Sequence, residues 1–254
     1  MNGAALALHQ YRYDQRQFWR EPASVFFTVV LPLIFLFLFT AIFGNEGVEV
    51  RGNEIKFSNY YVPGILTLSL VSATFVNLTI WLTIARERGE LKRARATPVP
   101  AWVIIAGRTL TAVGVAFVMV VIVVALGAVA YGVQIPTGTA PAALVSLLVG
   151  VASLSALGFA FATVVPSENA GPPMSNAVVL PLYFISGIFI PSDQTPEWMD
   201  TVAGVFPVKP LFESLLTAFD PNTTGAGFDL GSLAVVAAWG VAGGAIALRR
   251  FRWT

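Results

Sequence analysis

The chain has 254 residues, 56% of them hydrophobic and only 11% charged, with a mean hydropathy of +0.74. An ordinary soluble domain carries about 25% charged residues, so a water-soluble globule is excluded. Cysteine is absent and histidine occurs once, as His9, which removes disulfides, thiolate or histidine metal clusters and Ser/His catalysis; the net charge of +1 hides a segregation of sign along the chain.

Residues 4–20 form the first element, an amphipathic helix. Leu8, Tyr11, Gln15 and Phe18 fall near one face, while Arg12, Arg16 and Arg20 recur every four residues on another. Such a helix lies in the membrane interface with its arginines near anionic lipid. Arg20-Glu21-Pro22 ends it, because proline disfavours helix at the residue before it. The apolar run Val25–Phe43 comes next. It is longer than the roughly 7–15 residues of a signal-peptide core and no small-residue cleavage site follows, so it is expected to remain as the first span.

A helix needs roughly 20 apolar residues to cross about 30 Å of hydrocarbon. The second span is expected at Tyr60–Ala85. From Thr109 to Ser167 no residue is charged, a stretch too long for one crossing, and Tyr131-Gly132-Val133-Gln134-Ile135-Pro136-Thr137-Gly138 is its turn. Spans three to six are then Trp102–Ala130, Pro141–Val165, Pro173–Ile190 and Leu230–Leu248. Runs such as Leu33-Ile34-Phe35-Leu36-Phe37-Leu38-Phe39 do not alternate as barrel strands do, so the fold class is an all-α integral membrane protein. With both termini in the cytoplasm, Arg12, Arg16, Arg20, Arg86, Arg88, Lys92, Arg93, Arg95, Arg108, Arg249, Arg250 and Arg252 lie inside, and Arg51, Lys56 and Lys209 outside. That imbalance sets the expected orientation, with the whole of 1–254 forming one membrane domain.

Two polar segments stand between the spans. In residues 86–100, Glu87 is paired with Arg88 and Lys92 and Glu90 with Arg93, which suits a short solvated helix continuing span two until Thr97-Pro98-Val99-Pro100 breaks it. A loop that only fixed topology would need neither interspersed Glu nor a rigid Pro-x-Pro exit, so this segment reads as a docking surface for another protein. Residues 191–229 hold two amphipathic runs opening at Pro196 and Pro210, expected as short helices at the outer face, partly re-entrant.

No phosphate-binding Gly-x-x-x-x-Gly-Lys-Ser/Thr occurs, nor a Gly-x-Ser-x-Gly, so the chain is not read as an enzyme. Ionisable residues are missing from the middle of each expected span, where ion-coupled carriers keep their coupling site. The energy source is therefore sought in a partner, with a channel, an ion-coupled carrier or a non-transport scaffold as the rival readings.

Three stretches resemble the permease subunits of type-2 ATP-binding-cassette exporters, the family holding efflux permeases of the daunorubicin and multidrug type. They are Arg20-Glu21-Pro22 leading into a span with Pro32; the loop Arg86–Pro100, similar to the family's E-R-G-x-L-K-R-x-R-x-T-P-x-P; and Pro181-Leu182-Tyr183-Phe184-Ile185-Ser186-Gly187-Ile188-Phe189-Ile190-Pro191, followed by Pro196-x-Trp198 and Phe206-Pro207. The resemblance implies six helices per subunit, two permease subunits per pore (identical or homologous), and two ATPase chains that bind ATP and Mg. It also implies that the loop after span two is a coupling helix seated on the ATPase, with the amino-terminal interfacial helix beside it. Carried onto this sequence, Glu87, Glu90, Arg93, Thr97 and Pro98 become transmission residues, with Glu87 and Glu90 facing basic groups of the partner or of Arg12 and Arg16. Thr74, Asn77, Trp81, Asn176, Tyr183 and Phe184 become residues lining a cargo path between subunits. The expected cargo is a hydrophobic drug, antibiotic or lipid, exported across a bacterial plasma membrane. Membrane lipid is an expected partner; a nucleic acid and a metal are not.

Overall fold

The computed structural model describes residues 3–43, 47–50, 53–95, 101–135, 137–190 and 195–250. In chain order these form α1 (Gly3–Arg20), α2 (Pro22–Phe43), β1 (Gly47–Val50), β2 (Asn53–Lys56), α3 (Phe57–Glu87), α4 (Glu90–Arg95), α5 (Ala101–Tyr131), α6 (Ala140–Ala162), α7 (Gly171–Ile185), α8 (Glu197–Val205), α9 (Val208–Phe219) and α10 (Leu230–Arg250). Five of them, α2, α3, α5, α6 and α10, are long and apolar enough to cross a membrane. The small β1–β2 hairpin, which pairs Val48 with Ile55, was not signalled by the apolar runs.

α3 is the central rod. Every residue from Phe57 to Val71 is buried, because other elements wrap it on all sides. Phe39 of α2 packs on Tyr61 with ring centroids 5.0 Å apart, and Phe212 of α9 meets Tyr60 edge-on at 5.3 Å. Gly127 of α5 lies against Val62, and Gly158 of α6 against Phe75 and Leu78. Two helices carry a single π turn, at Phe26–Val30 in α2 and at Ser72–Val76 in α3. The first sits just before Pro32, whose missing N–H interrupts the ordinary ladder.

The crossing expected at Pro173–Ile190 is only partly helical. α7 has 15 residues, about 22 Å of helix, and stops at Ile185 before Gly187, which takes a left-handed φ of 82°. Its depth is fixed by its contacts with α3: Gly171 lies against Ile80 and Thr83, the Tyr183 hydroxyl donates to the Leu68 carbonyl, and the carbonyls of Gly187 and Phe189 accept from Tyr60 and Tyr61. Residues 171–189 therefore run antiparallel to residues 60–83 of α3 and cover the same depth, roughly 35 Å. α6 and α10 supply an independent check. Gly240 touches Ser153 and Gly243 touches Leu157, so these two helices run in the same direction and the chain has to recross between them.

α8 and α9 do not sit on a face as separate short helices. They bend by 96° at Phe206–Pro207 into a hairpin that enters the bundle and returns. At the bend Phe206 stacks on Trp239, ten residues into α10, and the Trp239 indole donates to the Val205 carbonyl at 2.7 Å. On the way back, the Thr139 hydroxyl at the start of α6 donates to the Ala218 carbonyl. Lys209, 3% exposed, ties the two arms: its Nζ pairs with Asp200 on α8 and lies 3.6 Å from Glu213 on α9.

The close approach of α6 and α10 gives a test. A Cβ at Gly240 would lie 2.4 Å from Ser153 Oγ and 2.9 Å from its Cα, whereas one at Gly244 meets nothing within 4 Å. Both Gly→Ala changes carry the same helix-propensity gain. Gly240→Ala is therefore expected to lose about 1–3 kcal/mol by overpacking, and Gly244→Ala to lose nothing, in thermal unfolding of the detergent-solubilised chain. Equal effects at the two sites would show that α10 does not pack on α6 through Gly240.

Candidate functional site

The arginine-rich ends of α1, α3, α4 and α10 gather at one end of the bundle, the basic face. There α3 ends in three consecutive charged residues, Arg86, Glu87 and Arg88, and all three engage the connection between α6 and α7. Arg86 donates to the Ala162 carbonyl at 3.2 Å and to the Val165 carbonyl, placing a cation on the free carbonyls where α6 ends. Glu87 accepts from the backbone N–H of Glu168, at the start of the 3-10 turn (Glu168–Ala170) that leads into α7. Arg88 pairs with the Glu168 carboxylate at 2.9 Å, a pair open to water and therefore screened. The end of α3 thus holds the end of α6 and the start of α7 together. Within this chain Glu87 accepts from the backbone of Glu168, and Arg12 and Arg16, the basic neighbours expected of it on α1, are exposed.

Gly89, with φ of 69°, then interrupts the helix, so α4 is a separate element rather than a continuation of α3. Leu91 is 4% exposed and packs with Leu82 and Ala85, which turns Glu90, Lys92 and Arg93 outward to solvent. Arg93 also donates to the Arg88 carbonyl at 3.3 Å. Thr97 and Pro98 lie outside the described residues.

A second cluster binds α1 to the bundle. α1 runs along the first turns of α5, with Gln10 against Gly107 and Tyr11 and Gln15 against Gly114. Gln15 donates to the Thr111 carbonyl at 3.2 Å, and Gln10 to Asp14 at 2.9 Å. Asp14 lies 3.5 Å from Arg108, whose guanidinium sits over the Trp81 ring of α3 at 4.9 Å. Both charges are nearly covered. Burial raises the Asp14 carboxyl above its ordinary range by more than Arg108 lowers it. The cluster joins α1, α3 and α5 just above α4, while Arg12, Arg16 and Arg20 project from α1 into solvent.

The residues expected to line a path divide into two groups. Thr74 is fully buried and donates to the Leu70 carbonyl of its own helix. Tyr183 is buried against Leu68 and Ser72, Trp81 is held under Arg108, and Asn77 is half-buried. Thr74 and Tyr183 are thus buried within the chain, while Trp81, like Asn77, is half-buried. Asn176 and Phe184 instead lie on an exposed face of α7 with Pro172 and Leu180, at helical spacing of four. Asp14, Arg108, Glu168, Arg86 and Arg88 were not singled out by the sequence; of these, only Arg108 and Glu168 carried a signal, as isolated charges at the ends of long apolar runs.

The ABC-2 type transporter family matches residues 10–219. The daunorubicin resistance ABC transporter permease protein DrrB1 of Streptomyces coeruleorubidus is 30% identical over 192 residues, covering 74% of this chain and 65% of its own length. The ycf38 protein of Cyanophora paradoxa is 24% identical over 203 residues, covering 78% of this chain and 69% of its own. The probable multidrug ABC transporter permease YbhR of Escherichia coli K12 is 23% identical over 170 residues, which is 63% of this chain and 46% of that protein.

Arg108→Met leaves Asp14 buried beside no cation and is expected to cost up to about 3–5 kcal/mol near neutral pH; adding Asp14→Asn should recover most of it. Because Asp14 keeps its proton to higher pH when folded than its ordinary 3.8, stability falls as pH rises from 3.8 through the raised value. Asp14→Asn alone should flatten that slope in thermal unfolding scans taken across the acidic range. A slope unchanged by Asp14→Asn would assign the pH dependence to another group.

Proposed function

The chain belongs to the ABC-2 type transporter family, and from that premise we propose that it is the membrane subunit of an ATP-driven exporter of hydrophobic or amphiphilic compounds. A separate ATP-binding-cassette chain supplies the energy, holding ATP and Mg, and a second permease subunit, identical or homologous, completes the pore. The observation that carries this reading is the grip of Arg86, Glu87 and Arg88 on the α6–α7 connection, directly above the outward-facing charges of α4. A partner that binds α4 and moves would displace the end of α3 and the start of α7 together.

The basic face is cytoplasmic, which puts both termini inside a bacterial plasma membrane and α4 within reach of a cytosolic ATPase. ATP shifts the permease because the loaded ATPase pair binds one arrangement of the two coupling helices better than the other. The exposed α7 face with Asn176 and Phe184 meets the second subunit and borders the path; Glu90 and Arg93, with Thr97 and Pro98 beyond α4, contact the ATPase. An uncharged face of this kind suits an apolar or amphiphilic cargo. The names of the relatives, daunorubicin resistance and multidrug, support the same class.

The test is reconstitution with an ATP-binding-cassette ATPase in vesicles. Glu90→Lys is expected to lower cargo-stimulated ATP hydrolysis and export together by roughly tenfold, the size of a coupling free energy of about 1–3 kcal/mol, without changing the unfolding temperature. Cysteines at Asn53 and Thr223 should react with an impermeant reagent on intact cells, and one at Lys92 should not. Export by the chain alone on an ion gradient would replace this reading with an ion-coupled carrier.

A further inference from the structure

A cavity of about 720 Å³ lies behind α7, between that helix, α6 and α10. Its ceiling is the bend of the α8–α9 hairpin, where Phe206 stacks on Trp239. Its back wall is the buried pair Leu154 and Val208, and its rim is exposed: Val178 on α7, and Ile246 and Arg250 on α10. The cavity is thus closed at mid-bundle and open sideways down to the basic face.

We infer that this groove seats one acyl chain of an anionic phospholipid from the leaflet at the basic face, with its phosphate on Arg250. The dimensions agree. From Trp239 to Arg250 is eleven residues of helix, about 16 Å, and half of a roughly 30 Å hydrocarbon core is about 15 Å. The chemistry agrees as well. The one polar group at the ceiling, the Trp239 indole N–H, is already donated to the Val205 carbonyl, so the inner part of the groove accepts hydrocarbon only. Arg250 is the charged residue among those lining the cavity, it stands at the mouth, and no carboxylate lies within ion-pair distance of it among the described residues. A tail-shaped apolar slot ending at a free guanidinium matches a phospholipid in both parts.

The groove is separate from the proposed cargo path. Val178 and Asn176 differ by about 200° around α7, so the lipid rests on the back of the helix whose front meets the second subunit. The seated chain fills the space into which α7 would otherwise fall, and it sets the position of α7 relative to the hairpin bend.

Native mass spectrometry of the full chain in mild detergent, followed by titration of the delipidated chain with phosphatidylglycerol and with phosphatidylcholine, tests this. One phosphatidylglycerol per chain is expected to survive purification. Arg250→Gln should weaken phosphatidylglycerol binding roughly fivefold and phosphatidylcholine binding less, because choline already offsets the charge of its phosphate. Val178→Trp should abolish retention of both, with the unfolding temperature kept; if that variant does not fold, Ile246→Trp fills the groove from the opposite rim. Wild-type retention in Arg250→Gln together with a groove-filling variant overturns the inference. So does a lipid-free wild type in which cysteines at Val178 cross-link two copies, because the occupant is then a second chain.

Discussion

A backbone carbonyl or N–H left without a partner in hydrocarbon costs several kcal/mol, and this fold meets that constraint where α7 gives way to non-helical backbone. α7 stops at Ile185, before its crossing is complete. The carbonyls it frees at Gly187 and Phe189 are taken by the phenols of Tyr60 and Tyr61 on α3, the second at 2.8 Å. Two neighbouring tyrosines thereby replace the missing turns of helix. Because the chain can turn there at no loss of hydrogen bonds, it can leave α7 early and fold back into the bundle as the α8–α9 hairpin.

The same constraint explains the character of α3. Its hydroxyl residues Thr67, Ser69, Thr74, Thr79 and Thr83 donate to carbonyls four residues back, at 2.6–2.9 Å, so none of them is an orphan inside the packed rod. α3 is clamped at one end by the tyrosine–carbonyl bonds and at the other by Arg86, Glu87 and Arg88. Between the clamps its regular ladder is interrupted at Pro63, which has no N–H to donate, and at the π turn Ser72–Val76, the segment facing α5 and α6. The far end of α3 is joined to the end of α6 and the start of α7 by direct side-chain contacts.

Much of this was legible in the sequence. Charge spacing placed five spans to within a few residues, since a charge is costly in hydrocarbon whichever helix carries it. The hairpin and the short α7 were harder to see. Ser186-Gly187 marks a turn, but the acceptance of that turn at depth depends on Tyr60 and Tyr61, more than 120 residues away. At Thr74 and Tyr183 the sequence shows a hydroxyl but not the carbonyl that accepts from it, which the fold supplies. Asp14 and Arg108 escaped because neither belongs to a local pattern; their relation exists only once α1 lies along α5.

Among the described residues, covered ion pairs occur at two sites, and both hold an element that enters from one face. Arg108 and Asp14 fix α1 at the basic face, and Lys209 with Asp200 and Glu213 fixes the arms of the hairpin toward the other. In each case ions are paired where hydrophobic packing alone would let an amphipathic segment slide along the bundle. A buried pair is a poor source of net stability, but its geometry is selective. The two clusters define where α1 and the hairpin sit, and the middle of the bundle between them is left to apolar and hydroxyl side chains. The chain thus carries its covered ion pairs where a segment is held in register. It leaves the exposed faces of α7 neutral, and those are the surfaces that a second subunit, a lipid tail or an apolar cargo can share.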